Sequence, residues 1–127
     1  MAAESTYDYA VIRVVPRVER GEMLNAGVIL SCPDADFLDA RIELDESRLL
    51  ALDAAVDIEV VRNHLAMFKR VCDGGDSAGE IGRLPQRARF HWLVSPRSTI
   101  IQCSAVHTGR TGDPAARLER LLARMVR

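Results

Sequence analysis

The chain has 127 residues, of which 48% are hydrophobic and 28% charged, and its formal net charge is −1. These values are typical of one globular domain over residues 1–127, and they exclude a disordered or collagen-like chain. No apolar run reaches the ~20 residues of a membrane span and no secretory signal pattern is present, so we expect a cytoplasmic protein.

Three strands are predicted in the first third of the chain, at residues 7–15, 25–32 and 37–44. The first is largely apolar on both faces, which predicts a central strand covered on both sides. The third alternates apolar with polar residues, so we expect its second face to be wet or only partly covered. Because the connections are too short for parallel crossovers, the three strands are predicted to be antiparallel neighbours.

The hydrophobic period then changes from two to 3.6 residues, which predicts helices. Asp45 is expected to cap a short helix and Asp57 a longer one, which the Gly74-Gly75 pair ends. Residues 73–86 contain glycine, serine and proline and are predicted to form a loop.

The C-terminal third is predicted to contain a hairpin, with strands at 89–94 and 99–106, followed by a helix. Asp113 is expected to cap that helix, with Pro114 at its first position, where a missing N–H costs nothing. Together these elements predict an α+β fold. It has an antiparallel sheet of three N-terminal strands and a C-terminal hairpin, and its helices lie mainly on one face.

Common catalytic and metal-binding motifs are absent from the sequence. The three cysteines and three histidines have no metal-ligand spacing, and there is no glycine-rich nucleotide loop, so no metal or cofactor is predicted. Cys103 and His107 would lie about 13 Å apart on one strand, which is too far for a nucleophile and its base. An odd number of widely spaced cysteines also favours a reducing compartment.

Two turn regions carry polar residues that a hydrophobic core does not require. In the first, Arg20 and Glu22 flank Gly21, and Asn25 opens the next strand. A structural interpretation is a turn with Gly21 at a positive φ and an exposed Arg–Glu pair. A functional interpretation is that Arg20 and Asn25 line the mouth of a pocket at the end of the sheet.

The second region is a proline-braced turn in which an arginine precedes two hydroxyl residues. A guanidinium fork, hydroxyls and turn N–H groups can together bind an anion. A structural interpretation is a simple hairpin turn beside core aromatics. We predict that both regions meet at one end of the sheet, with Arg97, Ser98 and Thr99 close to Arg20 or Asn25. The candidate anion-binding residues are Arg20, Asn25, Arg97, Ser98, Thr99 and His107.

Segments throughout the chain carry a family resemblance. They are 7–16, 20–22, Asn25, 27–28 and 32–33 in the first half, and Phe90, 92–93, 96–99, Gln102 and 106–109 in the second. On these segments the chain resembles a family of small bacterial proteins catalogued as domain of unknown function number 3037. The resemblance implies no established activity. It implies a HipA-type kinase as a protein partner, because genes of this family are often found beside such kinases.

Three functions stay open at this point. The first is a non-catalytic binding module with an anion-recognising patch and a protein partner. The second is an enzyme acting on a phosphate-bearing small molecule, with His107 as acid–base and Arg20 and Arg97 stabilising charge. The third is nucleic-acid binding through the arginine-rich C-terminal helix, which the net charge of −1 disfavours.

Overall fold

The computed structural model describes residues 3–97 and 99–127, which form an antiparallel sheet with helices on both faces. The strands are β1 (Ser5–Val14), β2 (Leu24–Cys32), β3 (Phe37–Ile42), β4 (Ile101–Cys103) and β5 (His107–Thr111). Their order is β3-β2-β1-β4, and β5 pairs with the same edge of β1 as β4 does, nearer the beginning of β1. β1 is therefore a central strand, as its two apolar faces predict.

In the part of the chain that the structure describes, four α-helices cover the sheet, three on one face and one on the other. They are α1 (Glu46–Leu52), α2 (Ile58–Asp73), α3 (Gln86–Val94) and α4 (Pro114–Met125). The first three pack around Ile12 and Ile29, whereas α4 packs on the opposite face against Val28 and Leu30. Across the described residues, no helix has the length and apolarity to cross a membrane.

The helix boundaries follow from capping side chains that the sequence makes visible. Asp45, Asp57 and Asp113 each accept a hydrogen bond from a backbone N–H three residues further on, at 3.1–3.3 Å, which satisfies a donor left free at the helix start. Gly74 ends α2 with a φ of 76°, a left-handed backbone conformation that glycine adopts without steric cost. The predicted starts of these three helices and the predicted end of α2 are confirmed.

The α+β fold class is confirmed, but the predicted C-terminal hairpin is wrong. Residues 89–94 lie within α3, and only Ile101–Cys103 of the predicted strand 99–106 belongs to a strand. β4 and β5 each pair with β1 and not with one another. Phe90 and Leu93, the two buried residues of α3, are three positions apart, a spacing that suits a helix packed on a sheet.

Candidate functional site

A cleft of about 470 Å³ opens between the C-terminal half of α3 and the strand β4. Its lining comes from His91, from residues 94–97 and from residues 102–106. Gln102 and Cys103 are neighbours in a strand, so their side chains point to opposite faces of the sheet. The cleft is therefore bordered by β4 and by the chain that follows it.

A polar network holds α3 against the sheet and so fixes one wall of the cleft. Arg87 of α3 donates to the Asp8 carboxylate and, at 2.8 Å, to the Ser31 hydroxyl, while the Thr108 hydroxyl donates to Asp8 at 2.6 Å. Burial would raise the pKa of Asp8, but hydrogen bonds from Thr108 and Arg87 outweigh it and hold the pKa below its ordinary value of 3.8. The network joins α3 to β1, β2 and β5.

The contacts of α3 also fix the direction in which it crosses the cleft. Its Arg87 end adjoins β5 through Asp8, while the Leu93 carbonyl at its other end accepts the Cys103 thiol of β4 at 3.7 Å. The helix therefore runs in the opposite direction to the chain that passes through β4 and β5. It follows that His91 lies towards β5, and that the chain leaves α3 towards the beginning of β4.

Arg97 is positioned by the end of α3. Its guanidinium carbon lies 4.3 Å from the centroid of the Trp92 ring, and Nη2 donates to the Trp92 carbonyl. This bond satisfies a carbonyl that the helix end leaves free, and a positive charge is favourable at a helix C-terminus. Stacking and capping thus hold the guanidinium in one place at the cleft, a fixed geometry that suits recognition of an anion.

The hydroxyls and the thiol of the cleft are already engaged with backbone groups. The Ser95 hydroxyl donates to the His91 carbonyl at 2.7 Å, and that of Ser104 donates to the Ala105 carbonyl at 2.9 Å. Burial raises the pKa of the Cys103 thiol to about 11, although the nearby Arg97 acts in the opposite direction. At neutral pH this thiol is protonated, and only the thiolate is a strong nucleophile.

The outer edge of β4 presents backbone groups to the cleft. The Ile100 carbonyl accepts from the N–H of Val15, directly after β1, at 2.7 Å. The Ser104 N–H donates to the Val11 carbonyl of β1 at 2.8 Å, so the backbone groups of Ile100 and Ser104 face β1. Inward and outward residues alternate in an antiparallel pair. Gln102 therefore also faces β1, whereas Ile101 and Cys103 turn their N–H and C=O groups away from it.

Arg20 and Asn25, two of the predicted anion-binding residues, take partners outside the cleft. Arg20 pairs with Glu22 at 2.6 Å in an exposed turn, which matches the structural interpretation of that segment. Asn25 accepts from Arg13 at 3.2 Å and donates to the Met125 carbonyl of α4 at 2.9 Å. The side chain of Asn25 thereby ties β2 to the end of α4.

The sheet register nevertheless brings the two predicted turn regions to the same end of the sheet, because Val14 pairs with both Leu24 and Ile101. The Thr99 hydroxyl donates to the Ile101 carbonyl at 2.8 Å. Ser98 lies outside the described residues. The convergence of these regions on one anion stays a prediction.

His107 is not among the described residues that line the cleft. Its ring packs against Tyr9 with 5.3 Å between centroids, and Tyr9 packs into the cluster on the α4 face. The cleft instead carries His91, which the sequence places in an aromatic-rich stretch without assigning it a role. A helical signal was available there: Arg87 and His91 are four residues apart, one turn of a helix, and Pro85 stands just before the first turn.

The comparison with known families gives one match. Residues 9–126 match the family described as "Protein of unknown function (DUF3037)", and the chain belongs to that family. No curated protein and no solved structure matches the chain. Within residues 3–97 and 99–127, no group of three or more histidine, cysteine, aspartate or glutamate side chains is arranged to hold a metal ion.

Proposed function

We propose that this member of the DUF3037 family is a non-catalytic binding module, and that the cleft between α3 and β4 receives an anionic group of a partner. The observation that carries the proposal is the charge of the cleft. Among the described lining residues, Arg97 and His91 carry basic side chains, and none carries a carboxylate. An anion therefore finds a fixed guanidinium without a competing acidic group.

The state of the neighbouring side chains favours binding over catalysis. A nucleophile needs a base within hydrogen-bond reach, or a lowered pKa. Ser95 and Ser104 donate to backbone carbonyls instead, and the pKa of Cys103 is raised to about 11. The two hydroxyls and the protonated thiol therefore form an uncharged wall of the cleft beside the Arg97 guanidinium.

The nucleic-acid alternative lacks a comparable feature. It requires the arginines of α4 to form one positive surface with those near α3. The two helices pack on opposite faces of the sheet, since Leu118 of α4 and Phe90 of α3 belong to different cores. Arg87 is further neutralised by Asp8, and Arg83 by Asp76.

The partner that we propose is a protein, and the family resemblance makes a HipA-type kinase the first to test. The polar network around Asp8 and the capping role of Arg97 keep the cleft in shape without a ligand. A preformed site of this kind binds with little ordering cost. Co-purification of the tagged protein from its native host should recover the partner, and Arg97→Gln should reduce that recovery.

Anion binding can be measured directly with sulfate and phosphate as probes. Each should raise the melting temperature at constant ionic strength, because a ligand at ten times its Kd stabilises the native state by about 1.4 kcal/mol. Arg97→Gln should remove this shift, since glutamine keeps a polar side chain at this position but carries no charge. Arg120→Gln, on the exposed side of α4, is the matched control and should keep it. An equal shift in Arg97→Gln would contradict the proposal.

A further inference from the structure

We infer that the anionic group is a phosphate monoester, whose negative charge is held between Arg97 and His91. This inference rests on the proposed function and names the chemical class of its ligand. It follows from three features of the cleft: the place of the Arg97 guanidinium along α3, the presence of a second basic side chain, and the lack of a carboxylate among the described lining residues.

The sequence explains why the Arg97 guanidinium folds back along α3. A helical carbonyl normally accepts from the N–H four residues later. Four residues after Trp92 stands Pro96, which has no N–H. Arg97 donates to the Trp92 carbonyl instead, and its guanidinium carbon lies 4.3 Å from the centroid of the Trp92 ring. The positive charge is therefore held at the level of Trp92, the residue directly after His91.

His91 provides the second basic group of the cleft. It stands three positions before Val94 and four before Ser95, so the three side chains share one side of α3, and all three line the cleft. The Ser95 hydroxyl donates to the His91 carbonyl at 2.7 Å and not to the imidazole ring, which is exposed. A neutral imidazole donates a hydrogen bond to an anion, and a protonated one adds a positive charge.

The charged and titratable groups around His91 do not compete with an anionic ligand. Asp8 of β1 lies near enough for its charge to interact with that of His91, but Arg87 and Thr108 already bond its carboxylate. Cys103 of β4 is protonated at neutral pH, because burial raises the pKa of its thiol to about 11. An anion in the cleft therefore meets two basic groups and no described carboxylate.

This pair of basic groups favours a ligand with more than one negative charge. A carboxylate carries a single charge, which the Arg97 guanidinium alone can balance. A phosphate monoester carries about −1.5 to −2 at pH 7 and has three acceptor oxygens. It can therefore accept hydrogen bonds from the guanidinium and from the His91 imidazole at the same time.

The apolar lining of the cleft favours a phosphorylated side chain of a protein as the source of this group. Val94 and Pro96 line the cleft from the end of α3, and Val106 lines it from the chain after β4. Val106 is 43% exposed. The residues beside a phosphorylated side chain would cover these apolar groups, whereas a small phosphate ester would leave them in water.

The test compares two ligands of the same shape and different charge, phenyl phosphate and phenyl sulfate, by calorimetry at pH 7 and constant ionic strength. We expect the wild-type protein to bind the phosphate at least about tenfold more tightly than the singly charged sulfate. In His91→Gln this ratio should fall to about threefold or less, because the second basic group is lost. His64→Gln, at an exposed histidine of α2, is the matched control and should keep the wild-type ratio.

A second comparison identifies the source of the phosphate. Random hexapeptides with a central phosphoserine, blocked at both ends, are passed over the immobilised full chain beside their unphosphorylated forms. We expect only the phosphorylated pool to be retained, and its best peptide should bind Arg97→Gln at least about tenfold more weakly. Glycerol 2-phosphate should bind the wild type more weakly than that peptide. Equal binding would support a phosphate monoester but overturn its assignment to a protein.

The outcomes separate this inference from the proposed function. Equal affinity for phenyl phosphate and phenyl sulfate, an unchanged ratio in His91→Gln, or no binding of either ligand would overturn the phosphate monoester. The proposed function would still stand if sulfate raises the melting temperature of the wild type and not that of Arg97→Gln. A sulfate shift that persists in Arg97→Gln would contradict the proposed function itself.

Discussion

The two outer edges of the sheet differ in which of their outward backbone groups is already bonded by a side chain. At the β3 edge, the outward N–H of Ala40 is bonded by the Asp39 carboxylate at 2.9 Å, and Lys69 of α2 holds that carboxylate at 2.6 Å. At the β4 edge, the outward groups of Cys103 face a cleft with a fixed cation. Strand length does not decide which edge is available, since the closed edge is the longer one.

The difference shows how one sheet can block one strand edge against aggregation and leave another edge accessible. An exposed, continuous edge beside apolar surface promotes aggregation. β3 borders an apolar groove of about 490 Å³ against α2, and there Asp39 blocks the outward N–H of Ala40. The other edge is broken into pieces of three and five residues by the turn between β4 and β5, so it can stay open at less risk.

The largest effect on stability is expected from a substitution that loosens α3, the helix beside the β4 edge. Phe90 of α3 is fully buried, so Phe90→Ala should lower the free energy of unfolding by about 3–5 kcal/mol. Denaturant titration measures this loss. Leu84→Ala is the control, because Leu84 precedes the same helix but is 38% exposed, and its cost should stay within about 1 kcal/mol. A similar cost for the two variants would show that α3 is not anchored by Phe90.

A smaller loss of stability is expected when the polar network that holds α3 against the sheet is disrupted at Asp8. Asp8→Asn should cost about 2 kcal/mol at pH 7, because the charge-assisted hydrogen bond from Arg87 is lost. The lowered pKa of Asp8 means that its carboxylate stabilises the fold above about pH 3.8 and loses this effect as the pH falls through the folded-state value.

Unfolding measured from pH 7 down to pH 3 tests this sign. The difference between the wild type and Asp8→Asn should be largest at neutral pH and shrink at the acid end. Asp34→Asn, at an exposed turn, should show little difference at any pH. A gap between wild type and Asp8→Asn that widens on acidification would contradict the assignment.

The smallest change in stability should come from opening the closed edge. Asp39→Ala removes a partly exposed ion pair, so it should cost under about 1 kcal/mol. It should nevertheless increase concentration-dependent association in sedimentation velocity, because the Ala40 N–H becomes free beside an apolar groove. Asp39→Asn retains an acceptor oxygen and should associate less. If Asp39→Ala sediments like the wild type, the carboxylate does not protect this edge.

Much of the fold could be predicted from local sequence signals. The three N-terminal strands and the helices capped by Asp45, Asp57 and Asp113 follow from alternation and capping, which act over a few residues. α3 was missed because a short aromatic-rich run is typical of a strand, and its burial comes from a distant sheet face. The pairing of β4 and β5 with one edge of β1 is likewise a long-range choice.

The candidate site was predictable only in part. The interpretation of residues 95–99 as a turn that carries Arg97 places that arginine near an exposed polar region. The cleft itself depends on α3 lying over β4, so the helix had to be known before His91 could be assigned to it. The hydrogen bond that Arg87 donates to Asp8 joins residues 79 positions apart, and no spacing rule detects such a contact.

The central position of β1 has a consequence for synthesis on the ribosome. One edge of β1 pairs with β2 soon after it emerges, but the other waits for β4 and β5, about 90–100 residues later. Until then a strand with apolar residues on both faces has one side without hydrogen-bond partners. Such long-range contacts form slowly, and unpaired intermediates are prone to aggregate. The nascent chain thus passes through a half-built sheet, in which the first strand to be made is the last to be enclosed.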